Sequence, residues 1–183
     1  MAPVAPPDPP LRDGPTGLRQ MRDEDARIVT AYCDDPSILR WIPLPSPYTE
    51  ADFLEWKRQA EERRLTGEGL EMLIVDEEDR PIGGVGMKEL GRPGYAEIGY
   101  LLSADARGRG HAARALRLAR DYAFRELGRE RVELLIHQDN EPSQRVARAA
   151  GFAETGEYRP CPRGCDPDVG DHKVFAWPGA EEA

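Results

Sequence analysis

The segment ARGRGHAARALRLARDYAF, residues 106–124, places small and basic residues directly before a helical pattern. The first N–H groups of a helix lack intrahelical acceptors and together carry about half a positive charge. Small side chains in and before that first turn let an anionic group approach the backbone closely. The sequence therefore predicts an anion site formed by Arg107, Gly108, Arg109, Gly110, His111 and Ala112.

Three kinds of phosphate site could use this loop. The letters GRGHAA satisfy the dinucleotide pattern G-x-G-x-x-A, but that site needs a strand running straight into the first glycine, and the polar segment SADAR intervenes here. A P-loop is excluded because no G-K-[S/T] follows the glycines. Arg107, Gly110 and Ala112 match a third pattern, [R/Q]-x-x-G-x-[G/A], which favours a pyrophosphate held by main-chain N–H groups. A glycine-rich turn with solvated arginines is the alternative.

The elements around this loop predict an α+β chain with a mixed sheet. Three strand patterns, LEMLIVD, PIGGVGMKEL and GYAEIGYLLS, are joined by short polar turns, which suits antiparallel hairpins. A short strand at TGLRQM and two helices, RDEDARIVTAYCDD and EADFLEWKRQAEERR, precede them. After the loop come a helix to about Leu127, the strand RVELLIH, the helix EPSQRVARAAG and the closing strands FAETGEY and KVFAW.

Length and composition favour a single globular domain. The chain has 183 residues, of which 39% are hydrophobic and 32% charged. It contains no apolar run near the roughly 20 residues that a membrane span needs, and no secretory signal pattern, so we expect a cytoplasmic protein that does not enter membranes. Proline-rich residues 1–16 predict a flexible arm, residues 17–178 the domain, and residues 179–183 a disordered tail.

The charge and the cysteine content of the chain limit the binding partners, the compartment and the metal sites that we expect. Acidic residues outnumber basic ones 34 to 25, for a net charge of -9. This argues against nucleic acid as a partner, since phosphate binding needs a basic field, and it would suit cationic amines or simply aid solubility. The odd, sparse set of Cys33, Cys161 and Cys165 indicates a reducing compartment. CPRGC lacks a second ligand pair at zinc spacing, so we expect no metal.

Several stretches in a fixed order give the chain a resemblance to a known family. They are LRQMRDEDA, ILRWIPLPSPYTEADFLEW, AEIGYLLSADARGRGHAARALRLARDYAF, RVELLIHQDNEPSQRVARAAGF and GDHKVFAW, which together span about residues 17–178. The chain resembles the GNAT superfamily of N-acetyltransferases, and within it the ribosomal-protein N-terminal acetyltransferase-like (RimJ/RimL-type) branch. The resemblance implies a GNAT fold, with a mixed, mostly antiparallel central sheet that is splayed between its fourth and fifth strands and flanked by helices.

The resemblance also implies where acetyl-CoA would bind. In the family it lies in a V-shaped gap between two parallel strands that splay apart, which match AEIGYLLS and RVELLIH here. The first strand would offer the backbone of Leu101, Leu102 and Ser103 to pantetheine, and residues 107–112 would hold the pyrophosphate. Asn140 and Ser143 match the N-x-x-S of this branch, so Asn140 would bond the pantetheine arm and Ser143 would lie near the thioester sulfur. Helix capping is the alternative role for both residues.

Acetyl transfer to an amine sets its own chemical requirements. The amine must be neutral when it attacks, the oxyanion needs a donor, and the leaving thiolate benefits from a proton. Deprotonating a lysine-like amine at pH 7 requires about 4.6 kcal/mol, whereas an α-amine requires about 1 to 1.4 kcal/mol. A modest base acting through water could therefore suffice for an α-amine.

Glu97 is the candidate base, because it lies on the strand leading to the CoA site, where similar enzymes often carry a functional glutamate. A solvated strand glutamate is the alternative. His137, at the end of the other splayed strand, is the second candidate base. Ser143 is the candidate proton donor to the thiolate, directly or through water. The tyrosine that many GNAT enzymes use as the acid is not evident in the later helix, which leaves Tyr158 as a fallback.

The acceptor pocket is expected between the loop WIPLPSPY, the helix after it and the closing hairpin around residues 159–172. Trp41, Tyr48 and Glu97 would contact the substrate, with core packing as the alternative for the two aromatic residues. The predicted function is direct, metal-free transfer from acetyl-CoA, in a ternary complex, to a protein N-terminal α-amine or a small cationic amine. A CoA-binding sensor or interaction module without turnover is the competing hypothesis. The closing hairpin loop could contribute to a homodimer.

Overall fold

The computed structural model describes residues 2–160 and 171–178. Its strands are β1 (Leu11–Asp13), β2 (Thr16–Arg19), β3 (Leu70–Val75), β4 (Pro81–Lys88), β5 (Tyr95–Leu102), β6 (Arg131–His137), β7 (Ala153–Arg159) and β8 (His172–Trp177). Its helices are α1 (Ala26–Cys33), α2 (Pro36–Leu39), α3 (Glu50–Thr66), α4 (His111–Arg125) and α5 (Glu141–Ala149). These elements confirm the predicted α+β fold.

All strands belong to one sheet in the order β1-β2-β3-β4-β5-β6-β8-β7. Neighbouring strands are antiparallel except β5 and β6, which are parallel. The predicted splay between AEIGYLLS and RVELLIH is confirmed. The two strands are the fifth and sixth of the sheet rather than the fourth and fifth, because β1 adds one strand that the sequence did not predict.

The segment before β2 contacts the domain at several points. Strand β1 forms a hairpin with β2 around Gly14, whose φ of +53° lies in the left-handed region that glycine favours. Val4 is buried in the core, and Tyr122 Oη donates a hydrogen bond of 2.6 Å to the carbonyl oxygen of Ala5. Proline content alone predicted an extended arm here, whereas the Asp13-Gly14 pair was the signal for the hairpin.

The sheet is covered by helices on both faces, with a hydrophobic cluster on each side. Helices α4 and α5 pack on one face, where alternate residues of β5 and β6 meet Leu116, Ala119 and Ala147. Helices α1 and α3 pack on the other face, around Val29 and Phe53. Alternation of side chains along each strand therefore divides the sheet residues between the two helical layers. None of the helices in the described ranges combines the length and apolar character needed to cross a bilayer.

Helix α3, which borders the cavity described below, has well-defined ends. Thr49 Oγ1 accepts from the Asp52 N–H, and the Asp52 carboxylate accepts from the Thr49 N–H at 2.8 Å, so a capping box begins the helix. Gly67 ends the helix with a φ of +81°. These caps define where α3 begins and ends.

Candidate active site

The parallel strands β5 and β6 pair over only part of their length. Their register pairs are Tyr95 with Arg131, Ala96 with Val132, and Glu97 with Glu133. Beyond Glu97, β5 continues along β4 as far as Leu102, while β6 continues along β8 to its end. The C-terminal halves of the two strands therefore diverge and leave a V-shaped gap in the middle of the sheet.

The backbone of β5 presents alternate residues to this gap. The Ser103 N–H donates to the carbonyl oxygen of Ile82 on β4 at 2.8 Å. Because backbone groups alternate sides along a strand, Leu101 also faces β4, whereas Tyr100 and Leu102 face the gap. This differs from the expectation that Leu101, Leu102 and Ser103 all offer backbone groups to a ligand, and it adds Tyr100.

The glycine loop leads from β5 into the first turn of α4. Gly108 and Gly110 have φ of +76° and +79°, a conformation that residues with a Cβ rarely adopt. The first backbone hydrogen bond of α4 runs from the Arg114 N–H to the Gly110 carbonyl oxygen. The N–H groups of residues 111–113 therefore have no intrahelical acceptor and mark the positive end of the helix. The main chain of this loop therefore offers the N–H groups that an anion would need, and its role as an anion site stays a prediction.

The polar side chains of the loop are used to hold it in place. Arg107 donates to the Leu102 carbonyl oxygen at 3.1 Å and to Ser37 Oγ at 2.7 Å, which ties β5 to α2. His111 is buried, with its Nδ1 2.9 Å from Thr16 Oγ1 on β2. The side chains of Arg107 and His111 thus anchor the loop, and its small residues and N–H groups remain for a ligand.

The start of α5 meets β5 across the gap. Asn140 is the N-cap of α5, and its Oδ1 accepts from the Ser143 N–H at 3.2 Å. Ser143 Oγ lies 3.0 Å from Tyr100 Oη. The capping role that the sequence allowed for Asn140 is therefore present, and the Ser143 hydroxyl lies at the gap with a tyrosine as its partner.

Glu97 lies where the gap begins. It is flanked by Lys88 on β4 and Glu133 on β6, and it is partly buried. Burial raises the pKa of Glu97, and the Lys88 charge opposes that rise. Alternation places Glu97, Gly99 and Leu101 on the face of the sheet covered by α1 and α3, opposite to Tyr100.

Glu133, beside Glu97, is a structural anion. Its side chain is 1% exposed and accepts from Tyr95 Oη at 2.8 Å, from Arg131 Nε at 2.6 Å and from Arg159 Nη1 at 2.7 Å. Burial alone would raise the pKa of Glu133, but these hydrogen bonds outweigh it and lower the pKa below its usual value. Glu133 therefore stays ionised and holds β5, β6 and β7 together.

Substitution of Glu133 with glutamine should lower the free energy of unfolding by about 2 to 3 kcal/mol at pH 7, because charge-assisted hydrogen bonds are lost. The lowered pKa means that the stabilisation is complete above the unfolded value of about 4.3 and disappears as pH falls below it. Urea unfolding of both proteins from pH 7 to pH 3 should show a difference that shrinks with acid.

The matched control is Glu157→Gln on β7, since Glu157 is 57% exposed and pairs with Arg159 at 3.3 Å. This change should alter stability by less than about 0.5 kcal/mol. An equal loss in the two variants, or a difference that grows with acid, would contradict the assigned role of Glu133.

His137 and Trp41 form a separate contact at the end of β6. Their ring centroids are 5.2 Å apart, and His172 lies 5.5 Å from His137 on the other side. The Asp139 N–H donates to His137 Nδ1 at 3.0 Å, so the neutral ring carries its proton on Nε2. The free nitrogen of His137 is then a donor.

A cavity of about 250 Å³ lies on the Glu97 face of the sheet. It is bordered by α1, α3, the loop before α3, and strands β4 and β5, and its lining includes Tyr32, Leu44, Tyr48, Trp56, Gly84 and Leu101. Asp52 and Glu55 are its acidic lining residues. Tyr48 lines this cavity and is also buried in the hydrophobic cluster with Phe53, whereas Trp41 packs on His137.

Two further expectations concern the C-terminal part. Tyr158 is 53% exposed on β7, the outermost strand, and nothing in its position connects it with the gap. Most of the closing hairpin loop, with Cys161 and Cys165, and the tail 179–183 lie outside the described residues. Within the described ranges, no group of three or more His, Cys, Asp or Glu side chains is arranged to hold a metal ion.

Comparisons with known proteins agree with this geometry. The family model described as "Acetyltransferase (GNAT) domain" matches residues 16–153. The N-acetyltransferase p20 of Bacillus licheniformis is 30% identical over 145 residues, which cover 78% of this chain and 81% of that protein. Spermidine N(1)-acetyltransferase of Escherichia coli is 28% identical over 141 residues, or 76% and 74% of the two chains.

Among solved structures, the fold is similar to that of Mycobacterium smegmatis RimJ in complex with CoA-disulfide. The TM-score is 0.81 at 23% identity, and the match covers 96% of this chain and 89% of that one. The family model spans most of the chain, including the gap, the glycine loop and the start of α5. The protein therefore belongs to the GNAT family of acetyltransferases, and it is an N-acetyltransferase.

Proposed function

We propose that this protein transfers an acetyl group from acetyl-CoA directly to a primary amine in a ternary complex. The observation that carries the proposal is the interrupted pairing of β5 and β6, which opens beside the glycine loop and the free N-terminus of α4. An extended chain in the gap and a diphosphate at the helix start are the two parts that coenzyme A would supply. The gap between β5 and β6 suits the extended chain, and the glycine loop at the start of α4 suits the diphosphate.

The backbone positions suggest how the cosubstrate is held. Tyr100 and the Leu102 N–H would bond the pantetheine amides from the gap side of β5, much as an added strand does, while the Leu102 carbonyl oxygen already accepts from Arg107. The N–H groups of residues 111–113, together with the left-handed turns at Gly108 and Gly110, would hold the pyrophosphate. Asn140 caps α5 through its Oδ1, which leaves its NH2 group to donate to pantetheine.

Glu97 is the better of the two candidate bases. A base must offer a lone pair, and burial raises the pKa of Glu97, which makes its carboxylate a stronger base. His137 directs Nδ1 to the Asp139 N–H, so its outer nitrogen donates rather than accepts. Glu97 would take the proton of the attacking amine, directly or through a water molecule.

The cavity on the Glu97 face is the proposed acceptor site. Leu101 belongs both to its lining and to the splayed strand β5, so an acceptor in the cavity and a thioester in the gap could be bound together. Aromatic walls with Tyr32, Tyr48 and Trp56, beside the carboxylates of Asp52 and Glu55, suit a cationic amine with an apolar portion. A protein N-terminal α-amine and a small cationic amine both meet this description.

Thiol release from acetyl-CoA tests the proposal. The protein should release coenzyme A in proportion to added amine when it is screened with peptides bearing free N-termini and with polyamines. Acetyl-CoA, but not NAD, should raise its melting temperature. Stabilisation by acetyl-CoA without thiol release for any acceptor would favour a CoA-binding sensor. Stabilisation by NAD alone would refute the proposed cosubstrate.

A further inference from the structure

A pair of hydroxyl groups meets at the gap on the side of α4 and α5. Tyr100 comes from β5, and Ser143 is the third residue of α5; their oxygens are 3.0 Å apart. The Tyr100 ring packs against the large hydrophobic cluster, and its burial raises the pKa of the phenol. Tyr100 therefore keeps its proton at neutral pH and can donate it in a hydrogen bond.

The relative acidity of the two hydroxyl groups sets the direction of the hydrogen bond between Tyr100 and Ser143. A phenol is more acidic than an aliphatic alcohol and is the better donor of the two. When Tyr100 donates, Ser143 Oγ accepts and keeps its own O–H for a third group. The Ser143 N–H is already donated to Asn140 Oδ1, so the serine is fixed at the start of the helix. The remaining freedom of Ser143 is the direction of one O–H bond.

We propose that Tyr100 is a positioning residue for acetyl transfer, which holds the Ser143 hydroxyl so that its O–H points to the sulfur of the thioester. The proposal rests on the proposed function, through the place of Ser143 beside that sulfur. Two hydrogen bonds in line, from Tyr100 to Ser143 and from Ser143 to sulfur, stabilise the leaving thiolate, because aligned hydrogen bonds strengthen each other.

The step balances without a proton leaving Tyr100. The C–N bond to the amine forms, the C–S bond breaks, and its electron pair goes to sulfur. The amine proton goes to Glu97, directly or through water. A thiol has a pKa of about 8.5 and a phenol about 10, so the thiolate does not remove the phenol proton. Tyr100 and Ser143 both end the step unchanged, and coenzyme A leaves as the thiolate.

Kinetics of three variants test this role. Tyr100→Phe keeps the ring and removes the hydroxyl, and it should lower kcat by about tenfold, the value of one hydrogen bond, with KM for acetyl-CoA unchanged. Ser143→Ala should lower kcat at least as much. Because Tyr100 acts through Ser143, the double variant should have the kcat of Ser143→Ala alone. Effects that multiply in the double variant would overturn the proposal.

A matched control separates this role from packing. Tyr122 is another buried tyrosine, whose Oη donates to the Ala5 carbonyl oxygen far along α4 from the gap. Tyr122→Phe removes a comparable buried hydroxyl and should leave kcat unchanged, whatever it does to the melting temperature. An equal loss of kcat in Tyr122→Phe would mean that Tyr100 acts by general packing, which contradicts the proposal.

Ligand binding gives a readout that does not need turnover. Coenzyme A and desulfo-coenzyme A differ only at the sulfur, so the ratio of their affinities isolates contacts to that atom. At pH 8.5 this ratio should fall about threefold or more in Tyr100→Phe, and should not fall further in the double variant with Ser143→Ala.

The kinetic and the affinity measurements together distinguish a failure of the proposed function from a failure of the proposed role of Tyr100. If the wild-type protein turns over no acceptor, the proposed function fails, and the affinity ratio alone decides whether Tyr100 acts on the sulfur. If the wild-type protein is active but Ser143→Ala is unimpaired, the function stands and the role of Tyr100 is refuted. An unchanged affinity ratio in Tyr100→Phe also refutes it.

Discussion

Substitution of Gly110 with glutamate is expected to lower the affinity for acetyl-CoA by about 100- to 1000-fold while the protein stays folded. Gly110 is the N-cap of α4, directly before the free N–H groups of residues 111–113. A carboxylate there would take the place of the bound anion at the positive end of the helix. Two unit charges of the same sign about 4 Å apart repel by about 4 kcal/mol at an effective dielectric constant near 20, which gives the upper figure.

The fold should tolerate this change. Gly110 has a φ of +79°, so a side chain there would strain the backbone by about 1 to 2 kcal/mol. A Cβ would lie 2.8 Å from a guanidinium nitrogen of Arg114, the far end of a flexible side chain that can move aside. Calorimetric titration with acetyl-CoA, together with the melting temperature, measures affinity and folding separately.

Gly156→Glu is the matched control. Gly156 has a φ of +81°, and a Cβ there would meet nothing within 4 Å. It lies on the exposed strand β7, so it reproduces the backbone strain and the added charge away from α4. Gly156→Glu should bind acetyl-CoA like the wild-type protein. Retained affinity in Gly110→Glu would place the diphosphate elsewhere in the molecule.

Substitution of Glu97 with glutamine is expected to lower kcat by about 100-fold at pH 8, near the lower end of what a general base contributes. Glutamine keeps the shape of the side chain but has no carboxylate to accept the amine proton. Binding of acetyl-CoA should be unchanged, because Glu97 lies where the gap begins and none of the groups proposed to hold the cosubstrate is altered. Stopped-time assays from pH 6 to pH 9, with both proteins and one acceptor, test this.

The ratio of the wild-type rate to the Glu97→Gln rate should change with pH in one direction. Burial raises the pKa of Glu97, and only the ionised carboxylate acts as a base, so the ratio of wild-type to variant rates should rise with pH and then level off. The ratio cancels the ionisation of the amine, which both proteins share. Lys88→Met removes the cation that opposes the raised pKa, so the rise should move to higher pH. A ratio near one at every pH would exclude Glu97 as the base.

Local signals in the sequence were sufficient for most of the fold. Apolar runs, three of them joined by short polar turns, predicted β3 to β6, and a helical period with glycines at its start predicted α4, since these features depend on neighbours in the chain. The Asn140 and Ser143 pair came from the resemblance to the N-x-x-S of the family branch, and the capping role given as the alternative for Asn140 depends only on neighbours in the chain. Strand β1 was missed because proline content outweighed a Gly14 turn signal.

Contacts between distant segments could not be predicted from one sequence. Tyr100 and Ser143 are 43 residues apart, and only the arrangement of β5 beside α5 brings their oxygens together. The Arg107 guanidinium donates to Ser37 Oγ, 70 residues away, and no pattern in the sequence indicates that contact. Burial contributes to the pKa of both Glu97 and Glu133, and burial depends on the whole fold.

The divergence of β5 from β6 also bears on how the protein avoids self-association. A strand with unpaired backbone groups can recruit strands of other molecules, which is a route to aggregation. Strand β5 carries such groups on its inner edge, but it lies in the middle of the sheet, with helices packed on both faces. Because β4, β6 and the helices surround that edge, a strand of another molecule would have to open the domain to pair with it. The unpaired backbone groups of β5 therefore lie where they do not promote pairing with other molecules.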